Sequence, residues 1–244
     1  TERSQQRLSV FDLESGTHRR DVRHDGTIYS LYPRDSGLSL GVVVVTGWTP
    51  LARWKVGEDS VAFYFGSMPR HLLTTPTLPP MRLSVAIASA RGGTAVLFSN
   101  SDTITVFDDG GSVLRRIPVP VVRRRGVPAD AEVRSRMAIK PEDRYDILST
   151  AAQVQLLSAG DWETVHFDFT LIGQRLIAKA WVSVVGADGT WHCSDANLPI
   201  SEDAMPNAYF VGDTLFTLDQ FVVDAGARSV VRAWLVDTTN CRGR

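Results

Sequence analysis

The chain has 244 residues, 43% hydrophobic and 22% charged, with 26 basic against 27 acidic side chains. That apolar content fills a sizeable core and excludes an intrinsically disordered chain. The net charge of -1 argues against a nucleic-acid binder, which carries a basic excess.

Along the chain, strand signals dominate. β-branched or aromatic runs lie at Arg7–Leu13, Leu38–Trp48, Val61–Phe65, Arg82–Ala88, Ala95–Phe98 and Thr103–Phe107. Later ones lie at Thr164–Leu171, Leu176–Val185, Ala208–Val211, Thr214–Val223 and Val230–Val236. Gly, Asp, Ser and Pro part them, a spacing that predicts an all-β sandwich, barrel or propeller. The helical patterns that parallel βαβ units need are missing. Between the two sets, Ala129–Ser149 is rich in Ala, Glu, Arg and Met, with Pro128 before it, Asp130 to cap it and Pro141 to break it. Residues Val121–Leu148 are therefore expected to be an inserted loop with one or two short helices, within a single domain spanning 1–244.

No apolar run reaches the roughly 18 residues that cross a bilayer as a helix. The chain begins at Thr1, so a leader was cleaved or lies outside the sequence, and a periplasmic or extracellular location is expected. Membrane association would then run through a partner or that leader. Cys193 and Cys241 are the two cysteines, read either as one bridge in an oxidising compartment or as two separate thiols.

The most informative feature is an internal repeat. Ser9-Val10-Phe11-Asp12, followed by Arg19-Arg20, matches Thr105-Val106-Phe107-Asp108, followed by Arg115-Arg116, at an offset of 96. Ser15-Gly16 and Gly110-Gly111 supply a turn in each, so each copy reads as a β-hairpin. Trp234-Leu235-Val236-Asp237 is a weaker third copy. Val56-Gly57-Glu58-Asp59 and Val211-Gly212-Asp213 are a second pair, each a turn before a strand. An offset of 96 is about two propeller blades.

The segment Thr94–Pro120, TAVLFSNSDTITVFDDGGSVLRRIPVP, resembles a blade of bacterial six-bladed β-propellers of the NHL and TolB-like type. Arg7–Val22 resembles the outer half of another blade and Ala208–Asp237 a last one; together they cover about a third of the chain. The resemblance implies five to six four-stranded blades, incomplete or irregular because six full blades exceed this length. It also implies closure by pairing Arg7–Leu13 with the blade that holds Val230–Val236. Lactonase-type propellers hold a metal on the axis with Glu, Asn and Asp, and Glu58, Asn100, Asp102 and Asp213 are candidates of the right types here.

In Val165-His166-Phe167-Asp168-Phe169, a strand places His166 and Asp168 on one face, where an Asp can orient a His as a base. Alternation alone gives the same pattern on a solvent-facing polar side. Nucleophile elbow, Walker, dinucleotide, zincin and EF-hand motifs are missing. Arg123, Arg124, Arg125, Arg134 and Arg136 make the 121–148 excursion basic, which reads as a solvated face or a contact for a protein partner. Two functions follow. The first is a non-catalytic, protein-binding or scaffolding propeller subunit with no cofactor. The alternative is a metal-dependent propeller hydrolase or lactonase with a divalent ion in the central channel.

Overall fold

A computed structural model describes residues 6–24, 27–33, 38–44, 51–55, 63–66, 85–90, 92–98, 101–126, 149–173, 175–201, 205–223, 226–238 and 241. The chain divides into two compact units, residues 1–76 with 109–112 and residues 77–108 with 113–244. In the first, β1 (Gln6–Phe11) and β2 (His18–His24) form a hairpin. Then β3 (Thr27–Pro33), β4 (Leu38–Val44), β5 (Leu51–Lys55) and β6 (Phe63–Phe65) form a four-stranded sheet in chain order.

In the second unit, β7 (Val85–Ala90), β8 (Gly93–Phe98), β9 (Thr103–Asp108) and β10 (Val113–Pro118) make one four-stranded sheet. A second holds β11 (Ser149–Leu156), β12 (Trp162–Ile172), β13 (Arg175–Val185) and β14 (His192–Leu198). The third has three strands, β15 (Met205–Val211), β16 (Thr214–Val223) and β17 (Gly226–Trp234). Every ladder is antiparallel between consecutive strands. These meanders are propeller blades, and the fold class is all-β.

The 96-residue repeat is a structural one. In the first hairpin Phe11 faces His18 and Val10 faces Arg20, so Arg19 is an extra residue in the return strand. In the second, Phe107 faces Val113 and Val106 faces Arg115, so Leu114 is extra. Each copy thus carries a β-bulge at the second residue after its turn. Asp12 closes the first turn by accepting from the Ser15 amide and pairing with Arg19, whose cation is the main reason its carboxyl falls to about 2. The third copy, Trp234–Asp237, starts at the last residue of β17; 235–238 are in no strand and 239–240 lie outside the described residues. Strand β1 pairs with β2 in a hairpin closed by its own turn.

Two apolar layers hold the second unit together. Ala88, Leu97, Ile104, Val106 and Ile117 of the first sheet pack against Ala151, Val154, Trp162 and Val185 of the second. On the opposite face of the second sheet, Val165, Phe167, Ala180, Val182 and Leu198 pack against Ala208 and Leu215 of the third. Strand β12 therefore buries both its faces, and its polar residues are buried with them. Cys193 on β14 and Cys241 beyond β17 are joined in a disulfide, which ties the second sheet to the tail of the third. The helix expected over 129–149 lies outside the described residues, except that Ser149 begins β11.

Candidate functional site

Alternation along β12 puts Trp162, Thr164, His166 and Asp168 on the face turned to the first sheet. Ladder pairing sets Ala151 and Trp181 on either side of His166, and Ser183 beside Thr164. On β14, residues 194 and 195 together oppose Ser183, forming a bulge. There Asp195 adopts the left-handed backbone conformation, φ 55°, which Asp tolerates better than most side chains.

After β10 the chain turns across this polar face. Asp195 Oδ2 accepts hydrogen bonds from three successive amides, those of Val122, Arg123 and Arg124, the last at 3.1 Å. Such a run of converging N–H groups is an anion nest, and here the anion is a side chain of the same protein. Asp195 Oδ1 accepts from Ser183 Oγ at 3.2 Å. Arg124 follows the nest inward until its side chain is fully buried. Its Nη1 pairs with Asp102, and Nη2 donates to the Val119 and Pro120 carbonyls. Its Nε lies 3.3 Å from Asp195 Oδ1, a charge contact without hydrogen-bond geometry.

A second anchor follows. Asp168 Oδ2 accepts from the Arg125 amide at 3.1 Å and from Trp181 Nε1 at 2.7 Å. Arg125 Nη1 donates to the Phe169 carbonyl and Nη2 to Thr170 Oγ1. Gly126 ends the segment at φ 74°. A Cβ there would meet Val121 Cγ1 at 2.9 Å. Gly126→Ala is expected to lower stability by about 1 to 2 kcal/mol in urea denaturation, from left-handed strain and this clash.

The electrostatics follow from burial. Burial raises the Asp195 carboxyl, but the Arg123, Val122 and Arg124 amides and the Arg124 cation outweigh it and hold it below the usual range. His166 is 1% exposed and neither ring nitrogen has a hydrogen-bond partner. Burial, then the Arg124 charge, drives its pKa well below the ordinary histidine value, so the imidazole is neutral. On the other face of β12, Glu163 is 1% exposed and its Oε1 has no partner. Burial, then the charge of Asp213, raises its carboxyl to about 7.

The candidates from sequence separate accordingly. His166 and Asp168 do share a face, but that face is buried rather than solvated, because the 119–126 segment and the first sheet cover it. They make no hydrogen bond to each other: Asp168 spends Oδ2 on Arg125 and Trp181, and its Oδ1 is unpartnered. Asp168 therefore does not orient His166 as a base. Arg124 is no surface contact, since it is buried in ion pairs; Arg123 and Arg125 are exposed. Arg134, Arg136, Glu58 and Asn100 lie outside the described residues. Asp102, in the β8–β9 connection, pairs with Arg124. Asp213, in the β15–β16 turn, holds the Ser158 amide and hydroxyl. Each of these two carboxylates is thus engaged by its own partner. Among the described residues no three His, Cys, Asp or Glu side chains form a metal-binding group.

Asp195 escaped the sequence reading. Nothing in His192-Cys193-Ser194-Asp195 distinguishes it from a surface Asp, and its role depends on a segment about 70 positions away.

No protein-family model matches the chain, and no curated protein sequence matches it. Among solved structures, a member of the DUF4221 family from Bacteroides vulgatus is similar at 10% identity, over 94% of this chain and 73% of that one, with a TM-score of 0.59. A virginiamycin B lyase from Staphylococcus aureus aligns at 11% identity over 95% of this chain and 78% of its own, with a TM-score of 0.43. A streptogramin B lyase aligns at 11% identity over 98% and 79%, with a TM-score of 0.44. At such identities likeness speaks for fold and not for activity. The chain is similar to proteins of propeller-like fold, and nothing in these comparisons singles out the NHL or TolB-like type.

Proposed function

We propose that the chain is a non-catalytic β-propeller module that binds a protein partner as a scaffolding subunit, with the 121–148 segment as its contact element. The observation that carries this reading is the Asp195 nest. It clamps the start of that segment from within and leaves Val122 (64% exposed) and Arg123 facing outward. Residues 122–124, held before binding, lose little conformational entropy on docking. The polar side chains that first suggested catalysis are used in the clamp or buried beside it. Asp102 is engaged by Arg124 and Asp213 by Ser158, which ranks the metal-dependent hydrolase second.

The disulfide fits an oxidising compartment, periplasmic or extracellular. The NHL and TolB-like pattern of Thr94–Pro120 is the resemblance behind the bacterial, six-bladed version of this reading, and the balanced charge leaves nucleic acid out of it. The test is native purification with cross-linking, comparing the wild type with a Val122→Asp/Arg123→Glu variant. A stoichiometric protein partner is expected with the wild type and at least about tenfold less with the variant, at an unchanged melting temperature. Partner recovery that ignores the two substitutions removes this segment from the interface.

A further inference from the structure

Asp168 has a twin one blade further on. Asp219 on β16 is buried, and its Oδ2 accepts from the Ser201 amide at 2.9 Å and pairs with Arg232 of β17. Asp168 on β12 takes the Arg125 amide and Trp181 Nε1 of β13 on its own Oδ2 in the same way. Both carboxylates leave Oδ1 buried without a partner. In both, the side-chain donor stands 13 positions after the carboxylate. The ladders give the reason. Lys179 faces Asp168 and Val230 faces Asp219, so Trp181 and Arg232 occupy the same diagonal position across their hairpins.

The third member of each set is the incoming chain. Arg125 follows β10, the last strand of the first sheet, and Ser201 follows β14, the last strand of the second. Each amide thus belongs to the connection that arrives from the preceding blade. The connections differ in length: the amide lies 43 positions before its carboxylate in one and 18 in the other. The side-chain donors differ too, an indole in one and a guanidinium in the other. What stays constant is the carboxylate and its place in the ladder. Carboxylate and side-chain donor lie on one hairpin, so strand pairing brings them together whatever the connection does. A buried carboxylate is costly without donors, which favours capture of the incoming amide.

We infer that Asp168 and Asp219 are positioning residues of one repeated latch, which captures the chain as it enters a new blade, and that each latch opens on its own. The two sets share no residue, so loss of one leaves the bonds of the other in place. At the second latch Arg232 adds a further hold, with Nη2 3.4 Å from Ser201 Oγ. The inference does not draw on the partner reading, because its test is read on the chain alone.

That test is hydrogen exchange resolved amide by amide on the full chain, with Asp168→Ala and Asp219→Ala beside the wild type. Asp168→Ala is expected to speed exchange of the Arg125 amide at least about tenfold and to leave Ser201 within about twofold. Asp219→Ala is expected to do the reverse. Asp168→Asn and Asp219→Asn keep the side-chain shape and one acceptor oxygen, so each is expected to give a smaller rise at the same amide. They decide the question where an alanine variant does not fold. A residue that matters only to overall stability would speed both amides together. That outcome overturns the inference, as does a variant that leaves the amide held by its own carboxylate unchanged.

Discussion

Replacing Asp195 by alanine will lower the stability of the fold by about 4 kcal/mol, read as the shift of a urea denaturation curve. Removing one member of a buried ion pair costs this much because the other charge stays buried without it. Here Arg124 would keep Asp102 as its remaining charged partner, and the amides of Val122, Arg123 and Arg124 would lose their common acceptor. Alanine at φ 55° adds strain that Asp tolerates better. Asp195→Asn keeps the backbone conformation and an acceptor oxygen while removing the charge, so about half the loss is expected. Combining Asp195→Ala with Arg124→Met will cost less than the sum of the single changes, since the second removes the charge that the first strands. If Asp195→Ala costs under about 1 kcal/mol, the nest is not what clamps the segment.

The strand content was legible because its signal is local. The β-branched or aromatic runs at Thr164–Leu171 and Thr214–Val223 correspond to β12 and β16, and the 96-residue repeat marks two hairpins that share turn, bulge and paired arginines. What escaped has weak local preference. Ser149–Leu156, which includes Ala151 and Ala152, is in none of the strand runs read from the sequence, yet pairing with β12 makes it a strand. His18–His24 is dense in charge, and it forms the return strand of the hairpin that the repeat marks, with His18, Arg19 and Arg23 exposed.

The site was legible in residue type and illegible in environment. The spacing of His166 and Asp168 puts both on one face, but it does not say what covers that face. The cover is non-local: Asp195 reaches across about 70 positions to the post-β10 segment. Arg123, Arg124 and Arg125 are identical as sequence, and the fold makes one a buried ion-pair centre and leaves its neighbours outside. Residue type therefore proposes chemistry that only burial and pairing can assign.

The pH dependence should carry the same mark. Glu163→Gln is expected to stabilise the protein at pH 8 by about 3 kcal/mol and to leave it unchanged at pH 4, as measured by urea denaturation at each pH. The folded-state carboxyl is pushed up to about 7, above the ordinary 4.5, so between these values the native state holds a proton that the unfolded chain has released. Stability from that proton is full below about pH 4.5 and is lost as pH rises towards 7. Glutamine has the shape of the protonated acid and no proton to lose. His166 acts in the opposite sense. Its folded pKa is lowered, so its contribution is full above the ordinary histidine value of 6.5 and is lost as pH falls below it. Between about pH 4.5 and 6.5 the two slopes offset each other, and the wild-type profile should be comparatively flat there. Glu163→Gln will tilt that stretch so that stability rises with pH, and His166→Phe will tilt it the other way. Parallel profiles for the wild type and both variants would mean that neither buried group titrates differently in the folded and unfolded chains.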